Sequence, residues 1–150
     1  MFTTELEMSE MFEKFTKNYF GNAYLKEYQG LFGVPDFILY DKRKDETSII
    51  AFELKLKNWK RAMKQAFRYK SFSNISYVVM PANKINAALK NISLFEQYNI
   101  GLATFEPDSS FTIVFKPELS NPYSDSLNNK LTEQIRKSRK QLKNLELLYS

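Results

Sequence analysis

Apolar residues in this chain recur at two spacings, and the switch between them marks out its elements. Met8, Met11, Phe12, Phe15 and Tyr19 follow the three-to-four-residue rhythm of an amphipathic helix over residues 5–19. Thr4 and Glu7 supply the hydroxyl and carboxylate of a capping box, and Gly21-Asn22 ends the helix. Residues 23–28 read as a first strand, with Gly30 and Gly33 in a turn region before Pro35. Residues 37–40 and 48–56 read as a hairpin of two strands around a charged loop, residues 41–46. Asn58 caps a predicted helix to about Phe72, and residues 74–80 form a strand stopped by Pro81. A further helix over residues 83–98 ends at Asn99 and Gly101. Residues 102–105 and 111–115 make a second hairpin around Pro107-Asp108.

The last predicted helix covers residues 126–148. Leu131, Ile135, Ser138, Leu142 and Leu145 form a seam along it that should pack on the domain or on another subunit. The resulting order is αβββαβαββα, an α/β arrangement with a mixed central sheet flanked by helices. No repeat or linker divides the 150 residues, so one domain is expected, with its core over about residues 5–116.

Composition narrows the chemistry. The chain has no cysteine and no histidine. Disulfides, thiolate zinc sites, histidine-ligated metals and imidazole acid–base catalysis are thereby excluded. Carboxylates, lysines, tyrosines and hydroxyls remain, together with hard, oxygen-liking cations. No apolar run is long enough to span a bilayer, and the acidic, polar N-terminus is no signal peptide. A soluble cytoplasmic protein with no membrane partner is the expectation.

The net charge of +5 is unevenly spread. Residues 55–70 carry seven basic side chains and no acidic one. Such a block suits an anionic partner, nucleic acid foremost, with Lys57, Lys60, Arg61, Lys64 and Arg68 as candidate backbone contacts. Lys130, Arg136, Lys137, Arg139, Lys140 and Lys143 could extend that surface from the last helix. A solvated lysine-rich helix face is the plainer account of such charge runs. Trp59 is expected to pack the base of its helix, with stacking on a nucleobase as the alternative.

The strand around Phe52-Glu53-Leu54-Lys55 carries the chemistry. Alternation sets Glu53 and Lys55 on one face, opposite Ile50, Phe52, Leu54 and Leu56. If the two strands pair, Asp36 converges with Glu53 at one sheet edge. Two carboxylates can hold a magnesium ion that keeps several waters, and a neighbouring lysine can position the attacking water.

These residues resemble the PD-(D/E)XK, or restriction-endonuclease-like, nuclease superfamily. Pro35-Asp36 followed by Glu53-Leu54-Lys55 is similar to its signature, and the αβββαβ order of residues 5–80 to its core. Gln65 and Tyr69 resemble the QxxxY motif of RecB-type members. The resemblance covers about residues 5–105. It implies a Mg²⁺- or Mn²⁺-dependent deoxyribonuclease with Asp36 and Glu53 as metal ligands, Lys55 assisting the water, and Gln65 and Tyr69 supporting the site. It also implies a glutamate ligand from the first helix. Glu10 is one candidate and Glu5 is equally suited, with Glu13 a third. The small size implies a partner protein or a homodimer. The competing expectations are a catalytically inactive nucleic-acid-binding or protein-interaction module on the same fold, or a regulatory protein whose basic block meets an acidic partner.

Overall fold

The computed structural model describes all of residues 1–150. Six strands pair in chain order: β1 (Tyr24–Lys26), β2 (Phe37–Arg43), β3 (Glu46–Leu54), β4 (Ile75–Met80), β5 (Gly101–Phe105) and β6 (Phe111–Phe115). The β3–β4 and β4–β5 pairs are parallel and the other three antiparallel, so the sheet is mixed. Each parallel step needs a crossover. Helix α2 (Trp59–Tyr69) bridges β3 to β4, and a 3₁₀ turn with two short helices bridges β4 to β5.

Both faces of the sheet are covered, giving three layers. Along β4, Tyr77 and Val79 join the core beneath α1 (Glu5–Tyr19), while Val78 and Met80 join a smaller one with Trp59, Ala62 and Phe95. This explains why β3 is buried at six consecutive residues, Ile49–Leu54, instead of alternating. Phe12 anchors α1, its ring 5.2 Å from Phe37, 5.3 Å from Phe52 and 5.2 Å from Phe105. The helix begins where the sequence places it, with Thr4 Oγ1 accepting from Glu7 N at 3.0 Å. The reciprocal half of the box is shifted: Glu7 Oε1 accepts from Thr3 N at 3.3 Å. No helix is long and apolar enough to cross a membrane.

Three expectations are corrected. The charged stretch 41–46 is mostly strand, because the β2–β3 ladder runs on to Arg43 opposite Glu46, leaving a two-residue turn with Lys44 at φ 52°. The predicted helix 83–98 is three pieces: a 3₁₀ turn (Ala82–Lys84), α3 (Asn86–Leu89) and α4 (Ile92–Tyr98). Asn91 Nδ2 donates to Ala87 O at 2.8 Å, so a side chain takes up a backbone acceptor at the break. The long C-terminal helix ends early, as α5 (Asp125–Ile135), and residues 136–150 wrap back along the domain with one 3₁₀ turn, Leu145–Leu147. Leu142 and Leu145 are buried as the seam predicts, and Leu148 with them, but by this non-helical path and in the domain's own core.

Polar anchors fix that path. Asp41, buried, accepts from Leu142 N at 2.8 Å and from Arg43 Nε at 2.6 Å. Lys143 N donates to Phe20 O at 2.9 Å, and Tyr77 Oη to Leu148 O at 2.6 Å. Replacing Asp41 strands a buried N–H. Asp41→Ala is therefore expected to lower unfolding stability by about 1–3 kcal/mol in chemical denaturation. Limited proteolysis should then cut within residues 136–150 before the rest of the chain.

Candidate active site

The β2–β3 register builds the site. Phe37 faces Phe52, so Asp36, one residue before β2, lies beside the end of β3. Asp36 N donates to Phe52 O at 3.0 Å, and Asp36 Oδ2 accepts from Leu54 N at 2.7 Å. These bonds hold Asp36 against the segment that carries Glu53. Glu53 itself is only 4% exposed. From α2, Tyr69 Oη reaches Glu53 Oε1 at 2.5 Å and Val34 O at 3.0 Å, two acceptors sharing one proton. Lys55 Nζ stands 3.7 Å from Glu53 Oε2, and Lys55 N donates to Val79 O at 3.0 Å, which carries the strand direction one residue past β3.

The loop before Asp36 passes over the Tyr69 ring. At Gly33, with φ 80°, a Cβ would stand 2.9 Å from that ring, so only glycine lets the loop pass. Phe32 on the same loop is exposed and lies under the Arg68 guanidinium at 5.5 Å. The spacing of Gly30 and Gly33 marked a turn, but sequence reasoning missed that this turn roofs the tyrosine.

Electrostatics single out the acid pair. Burial, reinforced by the Asp36 charge, pushes Glu53 up to about 7, against the Tyr69 hydrogen bond and Lys55. Burial also raises Asp36 to about 6, opposed by the Leu54 N–H and Lys55. The Tyr69 hydroxyl is pushed well above its usual range by burial and by Glu53. Asp36 Oδ1 and Glu53 Oε2 accept no hydrogen bond, since the Lys55 ammonium is beyond bonding distance from the latter. Two uncommitted carboxylate oxygens in a partly dry setting suit a hard divalent cation. No third acidic side chain completes a metal-ligating cluster with them.

The first-helix candidates separate clearly. The Glu5 charge acts on both Asp36 and Glu53, though its own Oε2 accepts from Leu56 N at 3.2 Å. Glu10 is exposed and lies about 140° round the helix from Glu5. Glu13 is committed elsewhere, accepting from Tyr24 Oη at 2.6 Å and from Lys26 Nζ at 3.2 Å. Gln65 lies one turn before Tyr69, with its Oε1 buried and unpartnered.

Lys57, Lys60, Arg61, Lys64 and Arg68 are all exposed, and Arg61, Lys64, Gln65 and Arg68 line a recess on α2. Lys70 leaves the basic set. It is buried and donates to Tyr98 O at 2.8 Å and Asn99 O at 3.3 Å, where it caps the end of α4. Comparison with models of known families, with curated proteins and with solved structures yields no match to this chain.

The raised carboxylates give a signed pH dependence. Between the unfolded values near 4 and the folded values of about 6 and 7, the native state holds more protons than the unfolded chain. Their contribution is then fully present at low pH and is lost as pH rises through 6 to 7. In cation-free buffer, Glu53→Gln, which keeps an acceptor for Tyr69, should gain thermal stability over the parent at pH 8 and not at pH 4. A difference independent of pH would contradict the pairing.

Proposed function

We propose that the chain is a metal-dependent nuclease of the restriction-endonuclease-like type, hydrolysing phosphodiester bonds in DNA. The observation that carries the reading is the convergence of Asp36 and Glu53, each with one uncommitted oxygen, beside Lys55. The αβββαβ order of the first six elements, with β2 and β3 antiparallel and β4 parallel to β3, supports it. So does the cationic outer face of α2, one turn of which lies beside Tyr69.

Asp36 Oδ1 and Glu53 Oε2 are the atoms that would hold Mg²⁺ or Mn²⁺. A cation there supplies Lewis-acid polarisation of the phosphate and a lowered pKa for a bound water. The protein's own groups do the rest. Leu54 N fixes the Asp36 carboxylate, and Tyr69 Oη fixes that of Glu53, so neither turns away when charged. Lys55 offers an ammonium next to Glu53, where it orients the attacking water and offsets charge growing on the phosphoryl oxygens. Gln65, one turn before Tyr69 on α2 and with a buried, unpartnered Oε1, would support the site from that helix. Arg61, Lys64 and Arg68 hold the phosphate backbone along α2.

One observation favours a second reading. Glu5, the carboxylate of the first helix nearest the pair, is committed to Leu56 N. A site with only two carboxylates suits a nucleic-acid-binding module of the same build that has lost cutting. The test separates the two. Purified protein with Mg²⁺ or Mn²⁺ is expected to cut plasmid or single-stranded DNA, and EDTA to stop it. Asp36→Asn, Glu53→Gln and Lys55→Met should each slow cutting by about a hundredfold or more. Tyr69→Phe should cost less, about tenfold, since it positions Glu53 without meeting the substrate. DNA binding without cutting in any metal favours the second reading.

A further inference from the structure

A second concave surface lies on the other flank of α2. Trp59, Met63 and Phe67 from that helix meet Tyr98 of α4 in a groove of about 450 Å³. Its lining is mostly apolar, with Lys60 and Lys64 at the rim and no acidic residue. The aromatics are unusually open for their size: Phe67 and Tyr98 are each 40% exposed. Their rings meet edge to face at 5.6 Å, and Tyr123, 62% exposed, lies 5.8 Å from Phe67 on the other side. Lys60 Nζ sits 5.9 Å from the Trp59 ring.

Flat apolar rings bordered by cations call for a ligand with flat apolar parts and negative charge. Nucleobases on a phosphate backbone have that chemistry. A paired duplex stacks its bases inside, so only unpaired ones can reach these rings. Continuity favours the same ligand. Lys64 lines both the groove and the basic recess that contains Arg61 and Arg68. Trp59 and Tyr69 stand at the two ends of α2, about 15 Å apart along its axis. A strand that leaves the groove past Lys64 meets Arg61, Gln65 and Arg68, which line the adjoining recess one turn from Tyr69.

We propose that the α2–α4 groove is a subsite for unpaired nucleotides, and that the substrate of this site is single-stranded or locally unpaired nucleic acid. The groove's role in feeding a reaction rests on the nuclease reading; its ligand chemistry does not. Lys60 and Lys64 hold phosphates at the rim while Phe67 and Tyr98 stack the bases.

Trp59 is the chain's one tryptophan and reports on the groove directly. The experiment titrates its fluorescence in EDTA, so that binding is read without cutting. The ligands are oligothymidylate, an abasic strand of equal length and charge, a blunt duplex and poly-glutamate. Oligothymidylate should quench Trp59 and bind about tenfold more tightly than the abasic strand. Phe67→Ala and Tyr98→Ala, both at half-exposed positions, should each remove most of that advantage and leave abasic binding unchanged. Circular dichroism would check that each variant folds. Equal affinity for the thymidylate and abasic strands overturns the subsite. So does a duplex that gives the same Trp59 response, or poly-glutamate that displaces oligothymidylate at matched charge, which would mark the groove as a dock for an acidic protein. Metal-dependent cutting of paired DNA with no Trp59 response to strands would sink the subsite and leave the nuclease reading standing. Strand-dependent quenching without cutting in any metal does the opposite.

Discussion

Two carboxylates held close together with little water are the arrangement on which the rest of this protein turns. Burial is the main force that pushes both toward their protonated forms, and the Asp36 charge adds to it at Glu53 while the Glu5 and Glu27 charges add to it at Asp36. Such a pair persists only if its surroundings fix it at several points. The register of β2 on β3 supplies the first, through Asp36 and Leu54 N. Helix α2 supplies the second, through the Tyr69 hydroxyl. Lys55 supplies the third, held in line by its bond to β4. The central parallel pair and the first crossover helix are therefore conditions for the site as well as parts of the core.

Helix α2 serves three surroundings at once, and its sequence divides accordingly. Ala62 and Ala66 face the sheet and are fully buried, and their small side chains let the helix lie close enough for Tyr69 to reach Glu53. Arg61, Lys64 and Arg68 point to solvent on one flank, and Met63 and Phe67 open onto the other. The charged flank has no intrahelical acid to neutralise it, so the helix gains nothing from internal ion pairs. Packing against the sheet and the Asn58 cap, which accepts from Arg61 N at 3.4 Å, must hold it in place. Cations left unpaired on a well-anchored helix remain available to an outside anion.

How far the sequence revealed this depended on which force decided each position. The strands were legible because their apolar runs are bounded by turn residues, and the six-stranded mixed sheet follows from them. The meeting of Asp36 and Glu53 stood in the sequence only as a condition, that the two strands pair, and the β2–β3 ladder supplies that pairing. The first-helix glutamates could not be ranked from spacing, since the choice lies in tertiary contacts: Tyr24 and Lys26 take Glu13, and Leu56 N takes Glu5. Asp41 was hidden for the same reason. In a run of charged residues nothing distinguishes it locally, and its role is set by Leu142, which is 101 positions away.

The end of α5 shows a sequence signal that apolar periodicity overrode. Continued past Ile135, a helix would place Arg136, Arg139, Lys140 and Lys143 at three- and four-residue intervals, each pair repelling along one face. Ser138 would stand where the seam needs an apolar side chain, and the only acid in reach, Glu133, pairs with Arg136 alone at 3.4 Å. Leaving the helix removes the three- and four-residue spacing that would stack these cations on one face. It also exposes the last carbonyls of α5, and Lys42 from the β2–β3 hairpin donates to Arg136 O. Arg136, Lys137 and Arg139 line one cleft together with Lys42 and Lys44, so the cations stay gathered on one surface. The leucines beyond reach the same core by an irregular route, because burial asks only that they arrive there, and the Asp41 bond to Leu142 N fixes where they do.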